Sequence, residues 1–537
     1  MLRITELKLP LDHPDEDLRT AIVQRLGIAS DDLLDFTLFK RSYDARKKST
    51  ELCFIYTIDL EVRDEAKVLA RFADDRNVNV APDVSYKFVG QAPSDLSQRP
   101  IVVGFGPCGI FAGLLLAQMG FKPIILERGT EVRQRTKDTW GLWRKSVLNP
   151  ESNVQFGEGG AGTFSDGKLY SQIKDPKFLG RKVLHEFVKA GAPEEILYVS
   201  KPHIGTFRLT GMVETMREEI RALGGEVRFQ ERVTDVLIED GQLVGVELAS
   251  GEVLHSKHVI LALGHSARDT FRMLHSRGVF MEAKPFSVGF RIEHPQSLID
   301  RARLGKYAGH PKLGAADYKL VHHAKNGRSV YSFCMCPGGT VVAATSEPNR
   351  VVTNGMSQYS RNERNANSGI VVGITPEVDY PGGPLAGIEL QERLESHAFI
   401  LGGSDYKAPA QLVGDFINGT PSTELGEVEP SYKPGVALGD LALALPDFVI
   451  EAIREALPAF EKQIRGYSLH DAVLTGIETR TSSPLRITRN ESLQSLNVKG
   501  LFPAGEGAGY AGGILSAGVD GIRIAEAVAR DILGLKD

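Results

Sequence analysis

An α/β fold built on a parallel sheet is what this 537-residue sequence predicts, and three observations predict it. First, the apolar run Ile101–Val103 enters Gly104-Phe105-Gly106-Pro107-Cys108-Gly109, and an apolar helical pattern follows through Leu116. That is the strand, glycine turn and helix of a Rossmann-type unit. Second, Lys122–Leu126 reads as a further strand that ends at Glu127, 18 residues after Gly109. Third, Leu501–Leu515 repeats the order near the far end of the chain: an apolar strand end, Gly505-Glu506, a glycine-rich turn, then a helical pattern over 514–533.

The elements follow in order. Residues 1–98 read as a small α+β module. Leu2–Leu9 is a predicted strand and Asp15–Leu26 a helix with acids in its first turn. Phe54, Tyr56, Ile58, Leu60 and Val62 alternate as a half-buried strand would. The polar, proline-bearing stretch 91–100 reads as a linker. The module holds one concentrated basic run, Lys40–Lys48, which is either a contact for RNA, a phosphate or an acidic partner, or a solvated hairpin tip. With 14 basic against 18 acidic side chains, the module as a whole is acidic, which counts against nucleic acid.

In the first turn, Gly104 permits the bend, Gly106 lets the backbone approach a pyrophosphate, and Gly109 lets helix and strand pack. Pro107 opens the helix, whose free N–H groups face the phosphates. Glu127 is placed to accept hydrogen bonds from an adenosine ribose. The segment Gly157–Leu169, containing Gly160, is too rich in glycine for an element interior, and it reads as a loop along the pyrophosphate or a ring edge. Residues 226–253 read as a strand meander, and Val259–Leu263 as a strand ending at Gly264. The expected division is 1–98, a discontinuous cofactor domain of 99–285 and 466–537, and an inserted substrate or cap domain of 286–465. No second strand–GxGxxG–helix unit with a matching acid follows Gly264, so a nicotinamide donor, NAD(P)H, is expected to dock only transiently.

Two segments of the insert carry candidate chemistry. Cys334-Met335-Cys336 precedes a Pro-Gly-Gly turn. Its thiols either attack substrate or exchange with a disulfide, or form a buried, inert pair. In the run Lys284–His294, Arg291, Glu293 and His294 are candidates for lining a cleft, and His294 is either a proton shuttle or an ordinary surface or core histidine. Four cysteines do not make a disulfide scaffold and fit a reducing cytoplasm. No apolar run is long enough for a membrane span, no metal site is expected, and nothing in the sequence specifies an oligomeric state.

The segment Leu501–Leu515 resembles the second flavin-binding motif of glutathione-reductase-like flavoproteins, with Glu506 where Asp is usual. The phrases KRSYDARKK, GEGGAGTFSDGKL, KPFSVGFRIEHPQ, SFCMCPGGTVV, NGMSQYSRNERNANS and PAGEGAGYAGGILSAGVDGIRIAEA are similar to a family of FAD-dependent dehydrogenases of bacteria and plastids. The resemblance implies an FAD-binding oxidoreductase of the glutathione-reductase-like fold. It implies FAD contacts at Gly104, Gly106, Gly109, Glu127, Arg128, Val233, Gly264, Gly505, Glu506 and the turn Gly512-Gly513-Ile514, and it supplies no substrate. Two competing expectations are a flavin-dependent RNA-modifying enzyme holding its substrate through residues 40–48, and a non-catalytic redox sensor switching through Cys334 and Cys336.

Overall fold

The computed structural model describes residues 1–43 and 51–535. Its centre is a five-stranded sheet, parallel throughout, in the order Leu501–Pro503, Val259–Leu261, Ile101–Val103, Ile124–Glu127, Glu226–Phe229. Side chains alternate between two buried faces, as a sheet covered on both sides requires. Val102, Ile125, Ile260 and Phe502 pack under helices Pro107–Gln118, Leu179–Lys189, Thr206–Ala222 and Ile514–Leu533. Ile101, Val103, Leu126, Val259 and Leu261 face the other way. There they meet an antiparallel meander, Val233–Glu239, Gln242–Leu248 and Val253–His255, and the helix Arg268–Ser276. Residues 226–229 therefore belong to the parallel sheet, and only the later strands form the expected meander.

The inserted domain is an eight-stranded, mainly antiparallel sheet whose long strands are Phe286–Pro295, Ser329–Ala343 and Asn365–Ile374. Helices Ala386–Leu401 and Asp447–Glu461 pack against it. Val473–Glu478 pairs within this sheet, between Phe286–Pro295 and Ala408–Leu412. The chain thus leaves the insert after Glu478, later than the boundary at 466 expected from sequence. Its VLTGIE strand is fully buried, so no polar stretch marks the crossing.

The N-terminal module is a four-stranded antiparallel sheet in the order Leu33–Tyr43, Cys53–Val62, Leu2–Pro10, Val78–Val80, backed by helices Glu16–Leu26 and Glu65–Arg71. Its outer strand joins the cofactor domain through Arg41 N–H to the Tyr198 carbonyl at 2.6 Å and Ser200 N–H to the Arg41 carbonyl at 2.9 Å. Lys312 of the insert donates to the Leu11 carbonyl at 3.0 Å. The module therefore touches both other domains. Of the basic run, Lys40–Tyr43 complete the outer strand, and residues 44–48 lie outside the described residues. Among the described residues no helix is long and apolar enough to cross a membrane.

Candidate functional site

Two helix N-termini open on one cleft. The first belongs to Pro107–Gln118, with Gly106 as its cap and Pro107 at its first position. The turn before it is required sterically. Gly104 has φ +102°, and a Cβ there would collide with the Ala262 carbonyl of the neighbouring strand. The second N-terminus, that of Ile514–Leu533, follows Gly512-Gly513, where no atom stands within 4 Å of a built Cβ. The two helices lie against each other so closely that a Cβ on Gly521 would strike the Cys108 carbonyl. This contact brings both positive dipole ends to the same opening.

The cleft encloses about 370 Å³. Of the residues singled out in the sequence, Gly104, Gly106, Pro107, Glu127, Arg128, Gly160, Val233, Gly264, Cys334, Glu506, Gly512, Gly513 and Ile514 line it. Gly109 and Gly505 stand behind its wall. A Cβ on Gly109 would strike the Gly104 carbonyl. Gly505 donates its N–H to Asp520 at 2.8 Å, and Arg489 holds that carboxylate with bonds of 3.0 and 2.6 Å. This buried pair, which no local sequence pattern announces, fixes the second turn on its helix.

At one end of the cleft Glu127 is buried and accepts N–H bonds from Phe105 (2.9 Å), Gly129 (2.9 Å) and Gly157 (3.0 Å). One carboxylate thus ties together three turns that shape the wall, and the second oxygen, with a single protein donor, keeps acceptor capacity. Arg128 binds Glu151 and Asp269 and lies 4.1 Å from the centre of the Phe156 ring, which also faces the cleft.

The other end is walled by the insert. Asp166, on the glycine-rich loop, is buried and paired with Arg361. The neighbouring Lys168 amine donates to the Met335 carbonyl. His265 and Arg480, neither anticipated from sequence, line this end together with Glu506. Burial, with Arg480 and Arg268 nearby, lowers His265 to about 3, so its imidazole is neutral. Its Nε2, 3.8 Å from Glu506, therefore makes no ion pair. Burial raises Glu506 to about 7, with Lys284 opposing.

A folded-state carboxyl raised above its unfolded value loses stability as the pH climbs between the two. The ligand-free protein is therefore expected to become less stable as the pH rises from about 4.5 to about 7. Glu506→Gln should flatten that limb, as read by thermal melting across the range, and an unchanged slope would refute the assignment.

The proton-shuttle reading of His294 is corrected here, and its alternative, an ordinary core histidine, holds. His294 lies outside the cleft. It is fully buried in the insert, with Nε2 bonded to the Tyr467 carbonyl at 2.7 Å and its ring centre 4.6 Å from that of Tyr467, tilted by 42°. Burial lowers it to about 4, so it is a neutral core histidine with no route to a cleft proton. Arg291 and Glu293 are likewise buried, bonded to Glu478 and Ser431 respectively. Of the two thiols Cys334 reaches the cleft, and Cys336 is buried behind it.

Residues 285–481 match a family described as "FAD-dependent protein, C-terminal domain-like", a range that coincides with the inserted sheet. An uncharacterized protein of Clostridium beijerinckii is 49% identical over 527 residues, covering 98% of each chain. The chain belongs to this family of FAD-dependent proteins. Residues 1–61 of the FAD-dependent chain match a domain of unknown function, DUF8436. Protein FixC of Salmonella typhi is 26% identical over 211 residues, 37% of this chain and 44% of that one. Among solved structures, a flavoprotein/dehydrogenase from Cytophaga hutchinsonii is 13% identical, with a TM-score of 0.35 over 82% of this chain and 80% of that one.

The cleft suits the cofactor that an FAD-dependent protein needs. A dinucleotide carries two phosphates and a ring system, and here two helix N-termini and side-chain-free Gly512-Gly513 provide donors and space for both.

Proposed function

We propose that the protein is an FAD-dependent oxidoreductase that passes a hydride between a small substrate and the flavin. The observation that carries this reading is the convergence of Gly106-Pro107 and Gly513-Ile514, two helix N-termini separated widely in sequence, on one cleft. The first would hold the pyrophosphate, with Glu127 toward the adenosine ribose and the backbone at Val233 toward the adenine. Glu506 would meet the ribityl chain, and Gly512–Ile514 the ring. The flavin supplies the hydride chemistry when bound.

The chain's own contribution is placement and exclusion of water. The helix beginning at Ile514 would present its positive end to the ring, where it would favour negative charge. Phe333, Cys334 and Asn354 of the insert, with Arg480 and Thr481 just beyond its last strand, line the ring end, and a substrate would enter between the insert and the ring.

Purified protein is expected to be yellow, and anaerobic mixing with NADPH or NADH to bleach the flavin. Absence of bleaching with both would remove the nicotinamide donor from the reading. Protein that binds no flavin when supplied with FAD would remove the reading itself.

A further inference from the structure

The sulfur of Cys334 has an unusual setting. Cys334 has φ +46°, a conformation that side-chain-bearing residues rarely adopt, at an irregularity of register between the strands Ser329–Ala343 and Asn365–Ile374. The surroundings hold it there. Buried Arg291 donates to the Cys334 carbonyl at 3.1 Å, and the Cys336 thiol lies 3.4 Å from the same oxygen. Arg291 is in turn locked by Glu478 and by Asn367. A strained residue fixed this way, opening on a cleft, is a pattern of reactive sites.

The charges around it are lopsided. Lys168 reaches the same strand at Met335, and the acid nearest to Lys168, Asp166 at 3.8 Å, is already occupied by Arg361. Arg291 faces Cys334 from behind, compensated by Glu478, and Glu506 faces it across the cleft. The neighbouring Cys336 side chain holds the Cys334 thiol below the ordinary cysteine range against the cost of burial, with the positive charges of Lys168 and Arg291 assisting. The Cys336 thiol is pushed up by the Cys334 side chain and by burial, so the sulfur that opens on the cleft is the more easily ionised of the two.

We propose that Cys334 is a nucleophilic residue of the cleft, and that its substrate class is a soft carbon electrophile bearing an anionic group that Lys168 holds. With an activated alkene the step balances without redox change. The thiolate pair forms a C–S bond at the β carbon, the π pair moves to the α carbon, and that carbon takes a proton from water. The inference concerns the cleft of the proposed flavin site but rests only on sulfur, ammonium and backbone geometry.

The test is alkylation of the full-length, flavin-loaded protein with iodoacetate and with iodoacetamide at several pH values, read by peptide mass spectrometry. Cys334 should react at least ~10-fold faster at neutral pH than Cys53, Cys108 or Cys336, with its pH midpoint below that of an ordinary thiol. The anionic reagent should be favoured relative to its ratio on free cysteine. Lys168→Gln should abolish that preference and Lys168→Arg should keep it. Equal labelling of all four cysteines, Cys53 labelled first, or a preference unchanged in Lys168→Gln would each overturn the proposal. If Lys168→Gln does not fold, the wild-type rates and the Lys168→Arg ratio decide. Flavin absorbance of the same samples reports the cofactor separately: a colourless protein with a fast Cys334 would leave the thiol inference standing and condemn the flavin reading.

Discussion

Gly106→Arg is expected to give a folded, colourless protein. The backbone at Gly106 has φ −80° and ψ −172°, which any residue adopts, and a Cβ would sit 3.5 Å from the Gly160 Cα, an ordinary contact. The fold therefore accepts a side chain at this position. The remainder of the arginine, however, extends into the cleft where the first helix presents its N–H groups. It would occupy the volume proposed for the pyrophosphate and form hydrogen bonds with none of those donors. FAD affinity should fall by at least ~100-fold, equivalent to roughly 2.7 kcal/mol. Equilibrium dialysis against FAD, with circular dichroism to verify folding, measures both halves of the expectation. Retention of flavin by the folded variant would show that this turn does not bind the phosphates. Gly104→Ala is a different experiment, because its Cβ collides with the Ala262 carbonyl and the sheet itself must yield.

Glu395→Ala is expected to cause the largest loss of stability. Glu395 is fully buried between two arginines. Arg268, from the cofactor domain, binds it at 2.8 and 3.0 Å. Arg480, at the end of the insert, binds it at 3.0 and 2.9 Å, and Thr479 adds a bond of 2.8 Å. Truncation leaves two buried guanidinium groups facing each other, a change that costs about 3–5 kcal/mol in comparable buried pairs. A fall in the thermal midpoint measures it, and a midpoint unchanged from wild type would contradict this account.

The pH dependence has a definite sign. Burial raises Glu395, but Arg268 and Arg480 outweigh it and hold the carboxyl far below its ordinary value of 4.5. Its stabilising contribution is therefore complete above that value and is lost as the pH falls through the acid range. Acid unfolding of the wild type should be steeper than that of Glu395→Ala.

What could be read from the sequence was whatever short-range spacing determines. The turn Gly104–Gly109, the strand ending at Glu127 and the run Gly505–Ile514 are contiguous, so their steric demands appear in the letters, and Glu127 and Glu506 do line one cleft. His294 stays open between a proton shuttle and a core histidine in the sequence, because a histidine after Arg291 and Glu293 has the same local pattern whether its strand faces a cleft or a core. Arg480, Glu395, Arg489 and Asp520 were invisible for a related reason: each is unremarkable alone and acquires meaning from a partner far along the chain. The insert's end was misplaced because Val473–Glu478 is an apolar strand with no linker beside it.

The split of the cleft between Gly104–Gly109 and Gly505–Ala517 has a consequence for synthesis on the ribosome. At 5–20 residues per second, roughly 20–80 s separate the emergence of the first glycine turn from that of the last helix. Throughout that interval the parallel sheet lacks its edge strand Leu501–Pro503, and the part of the cleft wall formed by Glu506, Gly512, Gly513, Ile514 and Ala517 does not exist. On the proposed reading of the cleft, cofactor capture is thus a late event in the life of the nascent chain. Products that terminate early, including any that stop just short of residue 501, should be released without colour and with the apolar face of Pro107–Gln118 uncovered, ready substrates for proteolysis.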